Sequence, residues 1–139
     1  MIAVNDKITE IKPSNFEKPY IIVNTGCARF VRKIITIMEE RCQEIEILHL
    51  NKSKTLSSKT LLNVFSKTNN LYDIFSVDGS TYLTNKERIP DMKISELIEF
   101  IKENPSLLKY PILVDKNNVT SGYNQEIYED CIKGGIANG

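Results

Sequence analysis

Tyr20-Ile21-Ile22-Val23 is an unbroken apolar run closed by Asn24-Thr25-Gly26, the pattern of a short buried strand that ends in a turn. From Cys27 the spacing changes. Phe30, Val31, Ile34, Ile35, Ile37 and Met38 recur three or four residues apart, with Arg29, Arg32, Lys33, Glu39 and Glu40 on the other face, which predicts an amphipathic helix. Residues 44–50 alternate apolar with polar and predict a second strand. A strand, helix and strand within about thirty residues make a βαβ unit, whose crossover favours parallel pairing.

Further on, Ser57 or Ser58 is placed to cap a helix carrying Leu61, Leu62, Val64 and Phe65, and Asn69-Asn70 interrupts it before a second short helix over 71–75. Val77-Asp78-Gly79-Ser80 reads as a turn and 81–90 as irregular chain. Ile94, Leu97, Ile98 and Ile101 form an i, i+3, i+4, i+7 stripe that predicts a helix over 92–103, ended by Pro105. Residues 111–115 and 119–123 read as strands joined by Lys116-Asn117-Asn118, a hairpin by its length and Asn content. A last helix over 125–132 and a loose tail over 134–139 complete the chain. Residues 1–19 mix charge, Ser and two prolines, with Ile2, Val4, Ile8 and Ile11 able to dock as an extra edge strand. The expected organisation is an extension over 1–19, one α/β domain over 20–133 and a flexible tail over 134–139.

The chain's 139 residues, 41% apolar, suffice for one core and are too few for two ordinary domains. Eighteen basic residues balance eighteen acidic ones, so autonomous DNA binding through phosphate contacts is not expected. No apolar run approaches the roughly 18 residues of a membrane span, and the amino terminus lacks signal-peptide character, so a cytoplasmic location is expected. Cys27, Cys42 and Cys131 are odd in number and widely spaced, which argues for reduced thiols over a disulfide framework. Cys42 near the end of the first helix and Cys131 on the last helix read as structural. His49 has no Cys, Asp or Glu arrangement around it, and no metal site is expected. Cys27 sits where the first strand gives way to the first helix, where backbone donors and the positive end of the helix dipole favour a thiolate. A small residue packing a turn is the other reading of Cys27, and both stay open.

Residues 103–124, ENPSLLKYPILVDKNNVTSGYN, carry a further signal. Asn104-Pro105, Leu107-Leu108, the run from Pro111 to Asp115 and Gly122-Tyr123-Asn124 stand in the order and spacing of the carboxyl half of the arsenate reductase-like (ArsC/Spx/MgsR) family, and the chain resembles its Spx branch most closely. The resemblance covers roughly 20–132 and implies a thioredoxin-like fold, a mixed four-stranded sheet with a helical insertion between the second and third strands. It also implies a cis peptide before Pro111, facing the cysteine loop.

Most members of the Spx branch carry a Cys-x-x-Cys pair in this loop, which closes as a redox switch. Matching Arg32-Lys33 to the family's Arg-Lys puts Ala28 and Val31 at those two positions, so the pair is missing. Arsenate reductases of the family use a nucleophilic cysteine in this loop with arginines to hold the oxyanion. The corresponding positions here are Tyr110 and Asp78, with Lys109 and Arg29 left to compensate in part. The resemblance implies a regulator without catalysis or cofactor, which binds the carboxyl-terminal domain of the RNA polymerase α subunit through 66–73 and changes promoter use in a stress response. The residues expected to make that contact are Lys67 (as an exposed cation), Asn69, Asn70 and Tyr72; Ser66 and Leu71 depart from the family's usual residues. Turnover by an adaptor and protease is implied by the ending Ile136-Ala137-Asn138. An ArsC-type arsenate reductase using Cys27 is the alternative.

Overall fold

The computed structural model describes residues 8–41 and 45–122. The helix expected over 125–132, the tail, Tyr123-Asn124, Cys42 and Cys131 lie outside the described residues.

The strands are β1 (Thr9–Ile11), β2 (Tyr20–Val23), β3 (Glu46–His49), β4 (Lys54–Leu56), β5 (Ile112–Val114) and β6 (Val119–Ser121), and the helices α1 (Ala28–Glu40), α2 (Ser58–Ser66), α3 (Ser80–Asn85) and α4 (Ile94–Glu103). The main sheet has the order β3-β2-β5-β6. β2 pairs parallel with β3 from Tyr20↔Glu46 to Val23↔His49, while β5 runs antiparallel to both β2 and β6. The parallel pair is the βαβ unit expected from the sequence, with α1 as its crossover.

β2 and β5 are apolar throughout because both faces of the sheet are covered. Strand alternation sends Tyr20, Ile22, Ile112 and Val114 into one cluster, where they meet Leu61 and Val64 of α2 and Leu97, Ile98 and Ile101 of α4. Ile21, Val23 and Leu113 point the other way, to Phe30, Ile34 and Met38 of α1. That fully buried i, i+4, i+8 row is flanked by Val31 and Ile37, which pack against it partly buried, so of the six-residue stripe in the sequence Ile35 is the one left exposed. Ile94 is likewise exposed at the first turn of α4, leaving Leu97, Ile98 and Ile101 to pack.

The starts of α2 and α4 follow local capping chemistry. Ser57 Oγ accepts from Thr60 N–H to begin α2, and Glu96 Oε1 accepts from Lys93 N–H at the start of α4. Asn70 Oδ1 accepts from Tyr72 N–H and opens a single 3₁₀ turn over Leu71–Ile74. Residues 81–90 differ from the irregular chain expected. α3 and a 3₁₀ turn over Ile89–Asp91 occupy most of them, and α3 fully buries none of its side chains, so it leaves no apolar periodicity to read.

The extension does contribute a strand, but away from the main sheet. β1 pairs parallel with β4 in a separate two-stranded sheet, Thr9↔Lys54 to Ile11↔Leu56. The Ile11 carbonyl accepts from Ser57 N–H at 3.0 Å and from the Thr60 hydroxyl at 3.2 Å, tying β1 to the start of α2. Glu10 pairs with Lys102 of α4 at 3.0 Å, and Ser14 N–H donates to Glu46 on β3 at 2.7 Å. Pro13 is buried and Phe16 packs against the larger core cluster.

Candidate functional site

Asn24 follows β2, and its side chain caps the 3₁₀ turn Thr25–Cys27 by accepting from Gly26 N–H at 3.1 Å. The turn leads directly into α1 with Cys27 as the N-cap residue. Cys27 is 8% exposed and belongs to the α1-side core cluster. Its sulfur donates to Asn24 Oδ1 at 3.3 Å and makes no capping bond to the first turn of α1. Backbone donors at the helix start, expected to receive a thiolate, are thus not engaged by the sulfur.

Tyr110 and Pro111 enter from the opposite side, and the bond between them is cis. The Tyr110 hydroxyl donates to the Pro105 carbonyl at 2.7 Å. Burial, with a smaller electrostatic contribution from Cys27, pushes the Tyr110 phenol well above its ordinary value. Gly26, Cys27, Arg29, Arg32 and Lys33 line one wall of a groove of about 760 Å³, closed by Tyr110 and Pro111. On its other side Tyr110 forms part of a second groove of about 620 Å³ with Asn24, Thr25, Asn51, Lys52 and Ser106. The structure therefore brings Cys27, Arg29 and Pro111 together along one groove. Asp78 and Lys109 line neither groove, so of the two cations considered as compensation only Arg29 reaches it.

The residues expected to meet a partner lie on the connection after α2. Lys67, read from the sequence as an exposed cation, is half-buried, and its Nζ donates to the Asp115 carbonyl at 3.1 Å in the β5–β6 turn. Asn69 is exposed. Asn70 is exposed while capping the following turn. Tyr72 is 40% exposed and stands edge-on to Phe75 and Tyr82, with centroids 5.5 and 6.2 Å away. Among the described residues no group of three His, Cys, Asp or Glu side chains could hold a metal, His49 is exposed, and no helix is long and apolar enough to cross a membrane.

Two participants were not singled out from sequence. Asn24 was legible as turn chemistry, since Asn before Thr-Gly and a helix is a capping signal, but its contact with the Cys27 sulfur was not. The Asp115 carbonyl that holds Lys67 leaves no sequence signal, because any residue supplies a carbonyl.

Solved structures share this architecture. An ArsC family related protein from Bacteroides fragilis superposes with a TM-score of 0.60 at 20% identity, over 86% of this chain and 100% of the other. An arsenate reductase from Vibrio cholerae gives 0.61 at 16% identity, over 82% and 97%. By sequence, the global transcriptional regulator Spx of Streptococcus mutans is 33% identical over 79 residues, 56% of this chain and 58% of the relative. Spx of Streptococcus agalactiae is 35% identical over 72 residues, 51% and 53%. The chain thus spans little more than half the length of the Spx proteins it matches. The ArsC family model matches residues 20–131, from the first strand of the main sheet onward. With this match, the mixed sheet and the cis-proline loop facing Cys27, the chain belongs to the ArsC family, with sequence similarity to its Spx branch.

Proposed function

We propose that this protein is a transcriptional regulator of the Spx kind. It binds the carboxyl-terminal domain of the RNA polymerase α subunit, alters promoter use in a stress response in the cytoplasm, and does so without a Cys-x-x-Cys switch, catalytic step or cofactor. The observation that carries this reading is the make-up of the Cys27 groove. Where an oxyanion-reducing relative would aim an arginine, Tyr110 turns its hydroxyl to the Pro105 carbonyl, and Asp78 lies outside the groove. A bound dianion needs fixed forked donors, which a phenol cannot replace. Similarity to proteins named global transcriptional regulators supports the same reading. The contact surface is the connection after α2, with Asn69, Asn70 and Tyr72 outward and Lys67 bracing it. An adaptor and protease would then control its level.

One observation favours a thiol-dependent arsenate reductase instead: Arg29 and Arg32 line the same groove as Cys27. Titrating the chain with the host α-subunit domain separates the two. Saturable binding, weakened by Tyr72→Ala, is expected. No binding at about 100 μM, well above ordinary transient affinities, combined with arsenate reduction that Cys27→Ser abolishes, would replace the regulator by the enzyme.

A further inference from the structure

The segment ahead of the family match is tied to four elements far from it in sequence. Thr9 N–H donates to the Ser53 carbonyl at 2.8 Å, and β1 pairs with β4 over three residues. The Ile11 carbonyl accepts from both Ser57 N–H and the Thr60 hydroxyl at the start of α2, Glu10 meets Lys102 of α4, and Ser14 N–H reaches Glu46 of β3. These ties are polar and shallow. Of residues 9–16 only Ile11, Pro13 and Phe16 are withdrawn from water, whereas Tyr20–Val23 of β2 is fully buried. A two-stranded pairing of this length is marginal by itself.

Release strands no buried polar group among these partners. The Thr60 hydroxyl keeps Ser57 Oγ at 2.8 Å, and the Lys102 ammonium keeps Glu99 at 3.6 Å. Ser53 and Glu46 are exposed and Ser57 is half-buried, so water takes the segment's place on them. A contact whose every group has a second partner, and whose loss exposes little apolar surface, belongs to the low end of a protein's local stabilities and can hold two states.

We propose that residues 9–14 are a releasable latch on the helical insertion. Docked, they fix β4 and the start of α2. Released, β4 and α2 loosen together while the β3-β2-β5-β6 sheet stays folded. Because α2 runs directly into the connection over 67–73, the latch regulates the surface assigned above to the α subunit, a consequence that rests on the regulator reading.

Hydrogen exchange of the full chain, read peptide by peptide by mass spectrometry, tests it. The double variant Thr9→Pro, Glu10→Lys removes the donor to Ser53 and sets two ammoniums together, both at exposed positions. Exchange over 54–66 should quicken about tenfold, while 20–23 and 112–114 change by less than about twofold. Unchanged exchange over 54–66 overturns the latch, and so does equal acceleration of all three segments, which would make residues 9–14 an ordinary part of one cooperative unit. Titration of both chains with the host α-subunit domain reads the consequence, and the variant should bind about threefold more weakly or worse. Equal affinity despite faster exchange overturns the regulatory role. If neither chain binds, the regulator reading fails and the exchange pattern alone decides the latch. Glu10→Gln keeps the side chain's shape and should quicken 54–66 about twofold, which settles the matter should the double variant not fold.

Discussion

Lys67→Met isolates the part that Lys67 plays in the proposed interface. The substitution keeps the apolar stem and removes only the ammonium, which donates to the Asp115 carbonyl at 3.1 Å across the join between the α2 connection and the β5–β6 turn. A hydrogen bond from a charged donor contributes roughly 1.5–3 kcal/mol when water is excluded. Lys67 is half-buried, so water competes for both partners and about 1 kcal/mol is the appropriate loss. For a chain of 139 residues that lowers Tm by about 3–5 °C. Lys67→Glu goes further by turning a carboxylate toward the carbonyl, and about 2–3 kcal/mol is expected. Circular-dichroism melts give the stability, and titration with the α-subunit domain below the melting range gives the binding. The expected result is a measurable fall in Tm for Lys67→Met with binding reduced less than by Tyr72→Ala. Unchanged Tm together with abolished binding would refute the reasoning, since it would mean that the ammonium contacts the partner and leaves Asp115 alone.

Two further outcomes follow from burial. Leu61→Ala removes a fully buried side chain from the α2 face of the larger core cluster and should cost about 2–5 kcal/mol in denaturant unfolding, a loss below 1 kcal/mol being incompatible with the packing described. Stability should also fall as pH rises through 10 and above. Burial raises the phenols of Tyr20 and Tyr110 in the folded chain, and Lys102 is raised too, where burial alone would lower it but the hydrogen bond and charge of Glu10, with Glu99, prevail. Groups raised on folding hold more protons in the native state. Their stabilisation is complete below the unfolded values and is lost above them, at about 1.4 kcal/mol per pH unit for each tyrosine. Urea midpoints from pH 8 to 11.5 measure this, and Tyr20→Phe should remove one tyrosine's share of the slope. A midpoint flat across that range would contradict the burial of both phenols.

Sequence alone determined the elements whose burial repeats along the chain. The β2–α1–β3 unit, the α4 helix and the β5–β6 hairpin were legible because apolar spacing reports which side chains leave water, and a turn such as Lys116-Asn117-Asn118 reports a reversal. Family motifs added the mixed sheet and the proline loop opposite Cys27. Tertiary structure decided what depends on contacts far apart in the chain. Three-residue strands such as β1 and β4 carry no periodicity, and they become a sheet only when residues 9–11 reach residues 54–56. α3 was invisible because none of its side chains is fully buried. The Cys27 loop illustrates the same limit at a site. Local rules place a thiol at a helix start, and only the folded turn shows its sulfur donating to Asn24 Oδ1 at 3.3 Å. Lys67, charged and flanked by polar residues, reads as exposed until the Asp115 carbonyl takes its ammonium. Periodicity records whether a residue is buried; which atom it meets there is set by the packing of elements that the sequence keeps apart.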